Sequence, residues 1–369
     1  MKSRQKVWYC ELEGTNYEIG RQLAHLERTE QRCFKAPDFF VQEDFEEAFQ
    51  LYEEHCPGIM EELRGYSDES GIGVQDIAFS WMTYLVPRCC GLILTGGRTC
   101  DGHTKIARSY EFSLEEEDLK VCRTAAAGRY AHTAGSIAGF GRTEGINEKG
   151  LAVSMSSCGF PVSNMPMMKE PRIKGLQFWL VIRSLLENCA DVEEALNKVQ
   201  EMPIAYNINL YLADASGNAA LFETMDGEQA FRQIRPGDGD SCLYGTNHIV
   251  IDSLRHLEPA AMKNSIVRYD KLKEFTESGM KFEEQAVKDM LLQKYPGGMR
   301  ANYYKEGFGT IKSVILDTVE KRFSICWLGL AENGWKDYFV LDKQEDCAEE
   351  KEYETEEGVP DFFAMVGLL

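Results

Sequence analysis

Residues 89–112 read CCGLILTGGRTCDGHTKIARSYEF, and this stretch decides the fold. CCGLILT is short and apolar, and KIARSYEF follows after a turn at Asp101-Gly102. Two such runs joined by a Gly-containing turn predict a β-hairpin. Upstream the pattern is helical. Tyr17, Leu23 and Leu26 lie near helical spacing in YEIGRQLAHLER, and Phe45, Phe49 and Tyr52 repeat it in EDFEEAFQLYEE. Pro57 opens PGIMEELRGYSDESG, where Gly71 is the expected stop, and VQDIAFSWMTYL is ended by Pro87. Residues 1–88 therefore read as a helical segment.

Downstream of the hairpin, GSIAGFG, GLAVSMSS, INLYLAD, NAALFET, TIKSVILD and RFSICWLGL read as strands. GLQFWLVIRSLLEN is apolar nearly all round, which predicts a buried helix. DVEEALNKV opens with Asp191 and Glu194 at capping-box spacing. A further helix pair is expected near 258–276 and 282–293. Strands in runs with clustered helices predict an α+β body over 89–343, two packed sheets covered by helices. The acidic run QEDCAEEKEYETEEG makes 344–369 a solvated tail on this reading.

The chain has 369 residues, 44% of them hydrophobic and 27% charged, enough for a large core without staples. Forty basic against sixty acidic side chains give a net charge of -20, which disfavours nucleic acid and anionic membrane surfaces as partners. The opening MKSRQKVWYCELEG has no signal-like apolar run, and no run of about eighteen apolar residues occurs, so a cytoplasmic protein is expected. Twelve cysteines are present without a single CxxC, so neither structural zinc nor any other metal is expected, and most thiols read as reduced core residues.

Cys89 sits where helices give way to the hairpin. Its plainest reading is a small buried hydrophobe. Strand pairing across Asp101-Gly102 would, however, bring Arg108 or Glu111 near it, and an arginine beside a thiol favours the thiolate.

The hairpin resembles the nucleophile hairpin of the penicillin acyltransferase and choloylglycine hydrolase families of cysteine N-terminal-nucleophile hydrolases. Theirs runs from Cys followed by Thr or Ser and two apolar residues, through a DG turn, to R-N-x-D. Cys89, Asp101-Gly102, Arg108 and Glu111 take those positions. GTNYEIGRQLA, PGIMEELRGYSDESGI, GINEKGLAVSMSS, INLYLADASGN, YGTNHIV and NSIVRYDKL resemble further segments in order, from about residue 12 to 330. Cys90, Ser109 and Glu111 depart from the usual Thr or Ser, Asn and Asp.

The resemblance implies a four-layer αββα sandwich and a self-processing amide hydrolase or acyltransferase without cofactor. The chain would be cut between Arg88 and Cys89, leaving Cys89 as nucleophile and its own α-amine as base. Arg108 and Glu111 would orient amine and thiol. Asn209 would stabilise the oxyanion, with Asn207 in reserve, and Arg268 would anchor the network. Ser157 stands where choloylglycine hydrolases carry another asparagine, and Asn147 reads as a turn residue. Cys90 stays open as an alternative nucleophile. Two other readings remain: an unprocessed papain-like hydrolase using His248 with Asn247 nearby, and a non-catalytic binding protein of the same fold. The expected partner is a small amide or acyl substrate, its pocket near Phe112, Phe160 and SNMPMMKEP. Whether the chain is a homo-oligomer is left open.

Overall fold

The computed structural model describes residues 2–27, 41–79, 88–159, 174–238 and 242–368. Strand β1 (Lys2–Gly14) leads into α1 (Asn16–Glu27), α2 (Gln42–His55), α3 (Ile59–Ser70) and α4 (Val74–Phe79). The hairpin β2 (Arg88–Leu94) and β3 (Lys105–Phe112) follows. Next come β4 (Lys120–Ala126), β5 (His132–Ile137), β6 (Gly141–Asn147), β7 (Ala152–Ser157), α5 (Phe178–Asn188) and α6 (Val192–Glu201). Then come β8 (Ile208–Ala213), β9 (Ala219–Met225), β10 (Glu228–Ile234), β11 (Cys242–Gly245), β12 (Ala260–Met262), α7 (Lys263–Glu277) and α8 (Glu284–Leu292). Last are β13 (Asn302–Tyr303), β14 (Phe308–Asp317), β15 (Arg322–Trp327), β16 (Lys336–Phe339), β17 (Cys347–Glu354) and β18 (Met365–Gly367).

One sheet has nine strands, ordered β10-β9-β8-β7-β6-β5-β4-β1-β17, and another has seven, with β11-β2-β3-β14-β15-β16 as its main path. All pairings are antiparallel except β1 with β4. The sheets face each other through β2 and β3 against β7 and β8, while α5 and α6 cover the larger sheet and α7 and α8 the smaller. The chain is thus an αββα sandwich, as expected. In β2 alternate residues serve two cores: Cys89 and Ile93 point between the sheets, Cys90, Leu92 and Leu94 toward the outer helices. Burial on both faces explains why CCGLILT is apolar without alternation. At Gly91 the two sheets pack closely, since a Cβ there would lie 2.3 Å from the Tyr211 ring of β8.

Two expectations are corrected. Residues 2–14 form β1 rather than helix, and 347–354 form β17 rather than a solvated tail. The two strands pair in a register that sets Lys2, Arg4 and Lys6 opposite Glu354, Glu352 and Glu350. The acids read as solvated because their bases lie 346 to 350 residues away in sequence. Each exposed pair adds little stability, but together they select partner and register.

The N-terminal helices pack on the α5 side. A Cβ at Gly20 of α1 would lie 1.9 Å from the Glu62 carbonyl of α3, so the helices cross at contact distance. Glu62 receives Arg183 of α5 through Nη1 at 2.9 Å and Nη2 at 2.5 Å, both side chains fully buried. Glu62→Ala leaves Arg183 with Glu187 as its one carboxylate and the Phe140 carbonyl. We expect a loss of about 3 kcal/mol in urea unfolding, the low end for breaking a buried pair.

Candidate active site

The β2–β3 ladder sets Arg88 opposite Glu111, Cys89 opposite Tyr110, Cys90 opposite Ser109 and Gly91 opposite Arg108. Cys89 and Arg108 therefore share the inter-sheet face. Arg108 Nη2 donates to Cys89 Sγ at 3.0 Å. The Nη1 of Arg108 donates to the Thr143 carbonyl at 2.7 Å and pairs with Glu144, and the guanidinium lies 4.5 Å from the Tyr110 ring. Burial alone would lower the Arg108 pKa, but Cys89 and Glu144 hold it above its ordinary value. The same burial pushes the Cys89 thiol up to about 11, against the pull of Arg108. In the uncut chain Cys89 is thus a neutral thiol, fully enclosed.

Glu111 lies on the opposite face. Its Oε2 accepts from Arg268 Nη1 at 2.7 Å, its Oε1 from Ser109 and from Thr310 Oγ1 at 3.3 Å. Burial raises this carboxyl, and Arg268 opposes the rise. The extra methylene of Glu and the serine at 109 therefore meet each other, which accounts for both departures from R-N-x-D together. Arg268, on α7, also donates to Asn247 Oδ1 at 2.6 Å and Asn264 Oδ1 at 3.1 Å. Its guanidinium and that of Arg88 lie 5.3 and 5.6 Å from the Phe308 ring. Cys90 shares this outer face, and burial raises its thiol to about 12.

β11 pairs with β2 so that Gly245 faces Gly91. The ladder ends there, and Asn247 follows two residues on in the irregular stretch beyond β11. Asn247 Nδ2 donates to the Ser157 carbonyl at 2.8 Å, and its backbone N–H to Ser265 Oγ at 2.8 Å. Asn209 is placed differently from the role given to it. Its Nδ2 donates to the carbonyls of Thr246 and His248, both at 3.0 Å, so its two amide hydrogens are spent on the residues flanking Asn247. Asn207 bonds the Gly159 carbonyl and the Asp226 N–H, joining the end of β8 to neighbouring turns. Asn147 closes the β6–β7 turn by accepting from Lys149 and Leu151 N–H.

His248 Nδ1 lies 2.8 Å from Ser265 Oγ and 3.2 Å from Thr246 Oγ1, and the ring meets Tyr269 edge-on. Burial drops its pKa to about 4, which makes it a weak base. Asp101, His103 and Asp317 cluster at the far end of the hairpin. Lys105 Nζ sits 2.7 Å from Asp101 and 3.0 Å from Asp317, so the cluster is an ion-pair network. Phe112 is buried in β3, while Phe160 and SNMPMMKEP lie outside the described residues. Among the described residues no helix is long and apolar enough to cross a membrane.

The sequence reading thus named Cys89, Arg108, Glu111 and Arg268, which the structure gathers at the head of β2. It missed Glu144, which nothing in β6 singles out, and it placed Asn247 only beside His248. The signal for Asn247 was its position in YGTNHIV, just after a strand able to pair with β2.

Penicillin V acylase from Agrobacterium tumefaciens is similar at 17% identity and TM-score 0.41, over 65% of this chain and 83% of that one. A conjugated bile acid hydrolase from Clostridium perfringens is similar at 13% identity and TM-score 0.45, over 73% and 97%. An N-acylethanolamine-hydrolyzing acid amidase ortholog from Caenorhabditis elegans is similar at 15% identity and TM-score 0.44, over 63% and 93%. Among curated proteins none matches the chain. The family described as acyl-coenzyme A:6-aminopenicillanic acid acyl-transferase matches residues 94–331, which span β3, Arg268 and most of both sheets. With well over half of its 369 residues so matched, the chain belongs to the acyl-coenzyme A:6-aminopenicillanic acid acyl-transferase family.

Proposed function

We propose that the chain cuts itself between Arg88 and Cys89 and then cleaves or transfers the acyl group of a linear amide. The observation that carries this is the Arg108 Nη2 contact on Cys89 Sγ at the head of a strand whose preceding residue faces Glu111.

In the first step Cys89 Sγ attacks the Arg88 carbonyl carbon. A C–S bond forms, the C–N bond breaks, and the thiol proton passes to the Cys89 nitrogen. Water then hydrolyses the thioester, releasing the Arg88 carboxylate and regenerating the thiol. The freed α-amine has an ordinary pKa of about 7.7–8.0, so a useful fraction is neutral near pH 7. It takes the thiol proton in each later turnover and returns a proton to the leaving amine. No histidine is needed, in keeping with the low pKa of His248.

Glu111 faces the position that Arg88 leaves, where its carboxylate can hold the new ammonium. Arg268 favours the charged form of that carboxylate against its burial. Arg108 offsets the negative charge of a thiolate. Asn247, two residues beyond the Gly245–Gly91 pair and braced through its Oδ1 by Arg268, is the side-chain donor we assign to the oxyanion.

The acyl and amine groups of the substrate are to be found by test. A panel of N-acyl amino acids, N-acylethanolamines, bile-salt amides and phenoxyacetyl amides, with and without an added acceptor amine, reads acid release against acyl transfer. Active protein whose N-terminal sequencing returned only the Met1 end would overturn the proposal.

A further inference from the structure

The stretch Thr246–Ile251 carries Asn247, has no regular secondary structure and is buried throughout. A buried backbone without a ladder must be met by side chains. Asn209 takes the carbonyls of Thr246 and His248, and Ser265 takes the Asn247 N–H. The N–H groups of Ile249, Val250 and Ile251 go to two carboxylates. Glu258 Oε2 accepts from Ile249 at 2.5 Å, and Glu223 accepts from Val250 and Ile251 at 2.9 Å each. The other Glu258 oxygen takes the Gly159 N–H at 2.8 Å.

All four carboxyl oxygens therefore accept from backbone N–H. That arrangement belongs to the ionised form. A proton on either carboxyl would turn an acceptor into a donor facing an N–H. Among the described residues neither carboxylate forms a salt bridge, and both are buried.

We propose that Glu223 and Glu258 are positioning residues whose ionised carboxylates fix the Thr246–Ile251 turn, and with it the Asn247 amide. The inference rests on the role given above to Asn247.

The surrounding charges are few. Arg232 and Arg255 face Glu223 and also donate to the Val250 carbonyl at 3.5 and 3.4 Å. Tyr211, Cys158 and Glu258 also interact with Glu223, and Cys158 and Glu223 with Glu258. His248, within the turn, is neutral. Burial pushes Glu223 up to about 7 and Glu258 to about 8, against the pull of the backbone N–H groups. The turn thus changes its bonding near neutrality.

The sign of the linkage separates this role from plain support of the fold. Both folded pKa values lie above the ordinary carboxyl value. The stability these groups confer is complete below that ordinary value and is lost as pH rises through about 7 to 8. Acid therefore favours the fold at these two positions while it unfastens the turn.

The test uses the full chain with Cys89→Ala, so that it does not depend on cleavage. Hydrogen exchange of peptides covering 246–251 is followed from pH 6 to 9 and corrected for intrinsic rates. Protection should rise at least tenfold with pH, and Glu258→Gln should abolish the rise. Protection that is flat with pH, or that rises equally in Glu258→Gln, overturns the inference. Should Glu258→Gln fail to fold, Glu223→Gln carries the same comparison. In the chain with Cys89 intact, the parent-to-variant ratio of self-cleavage rates should grow from near one at pH 6 to about tenfold or more at pH 9. A constant ratio overturns the inference. If the parent cleaves at no pH, the self-processing proposal fails instead, and exchange alone decides the role of the two glutamates.

Discussion

Full-length protein should mature into two fragments, the heavier beginning at Cys89, and Cys89→Ala should remain a single chain of 369 residues without turnover. Intact mass spectrometry reads both outcomes. The expected loss is complete, because the thiol would be at once the attacking group and the owner of the amine that serves as base. Cys89→Ser keeps a nucleophile of nearly the same size, but an alcohol is a far poorer one, so cutting should slow by orders of magnitude. Cys90→Ala is the control. Its thiol faces the outer core with Leu92 and Leu94, away from Arg108, and the variant should still be cut. Cutting abolished by Cys90→Ala and retained in Cys89→Ala would reverse the assignment.

Arg268→Ala should cost about 3–5 kcal/mol and stop self-cleavage. The guanidinium is fully buried and has two duties, the ion pair with Glu111 and the brace on Asn247. Alanine leaves Glu111 buried without its cation, which is the costly half of breaking such a pair. Arg268→Lys keeps a charge but not the fork, so it should retain Glu111 and lose Asn247. The double change Arg268→Met with Glu111→Leu separates the two effects. Replacing both charges with apolar groups should recover most of the stability measured in urea, while cutting stays absent. Recovery of both would mean that the pair serves packing alone.

The hairpin was legible because its chemistry is local. Apolar residues, a turn and a charged return strand all lie within residues 89–112, and α5 and α6 announced themselves by apolar coverage and by the Asp191 cap, which accepts from Glu194 N–H at 2.9 Å. β1 and β17 were not legible, since each carries a row of charges that makes sense only against the other. The asparagines are hard to tell apart for a related reason. Asn209 and Asn247 are alike in composition, and only the placement of the Thr246 and His248 carbonyls shows that the first holds the backbone around the second. The split of Cys89 and Glu111 onto opposite faces follows from strand alternation and could have been read directly from their odd–odd spacing once the ladder register was known.

The place of β1 in the large sheet gives maturation a direction. A break after Arg88 would assign β1 to the lighter fragment, yet its neighbours on both sides, β4 and β17, belong to the heavier one. The pieces could part only by unzipping two ladders, so nicking would leave the assembled protein whole. Once separated by denaturant, they would have to find each other in solution and thread a strand into a closed gap. Cleavage at that bond would therefore work as a commitment: it would remove the covalent route back to the native state while leaving that state in place.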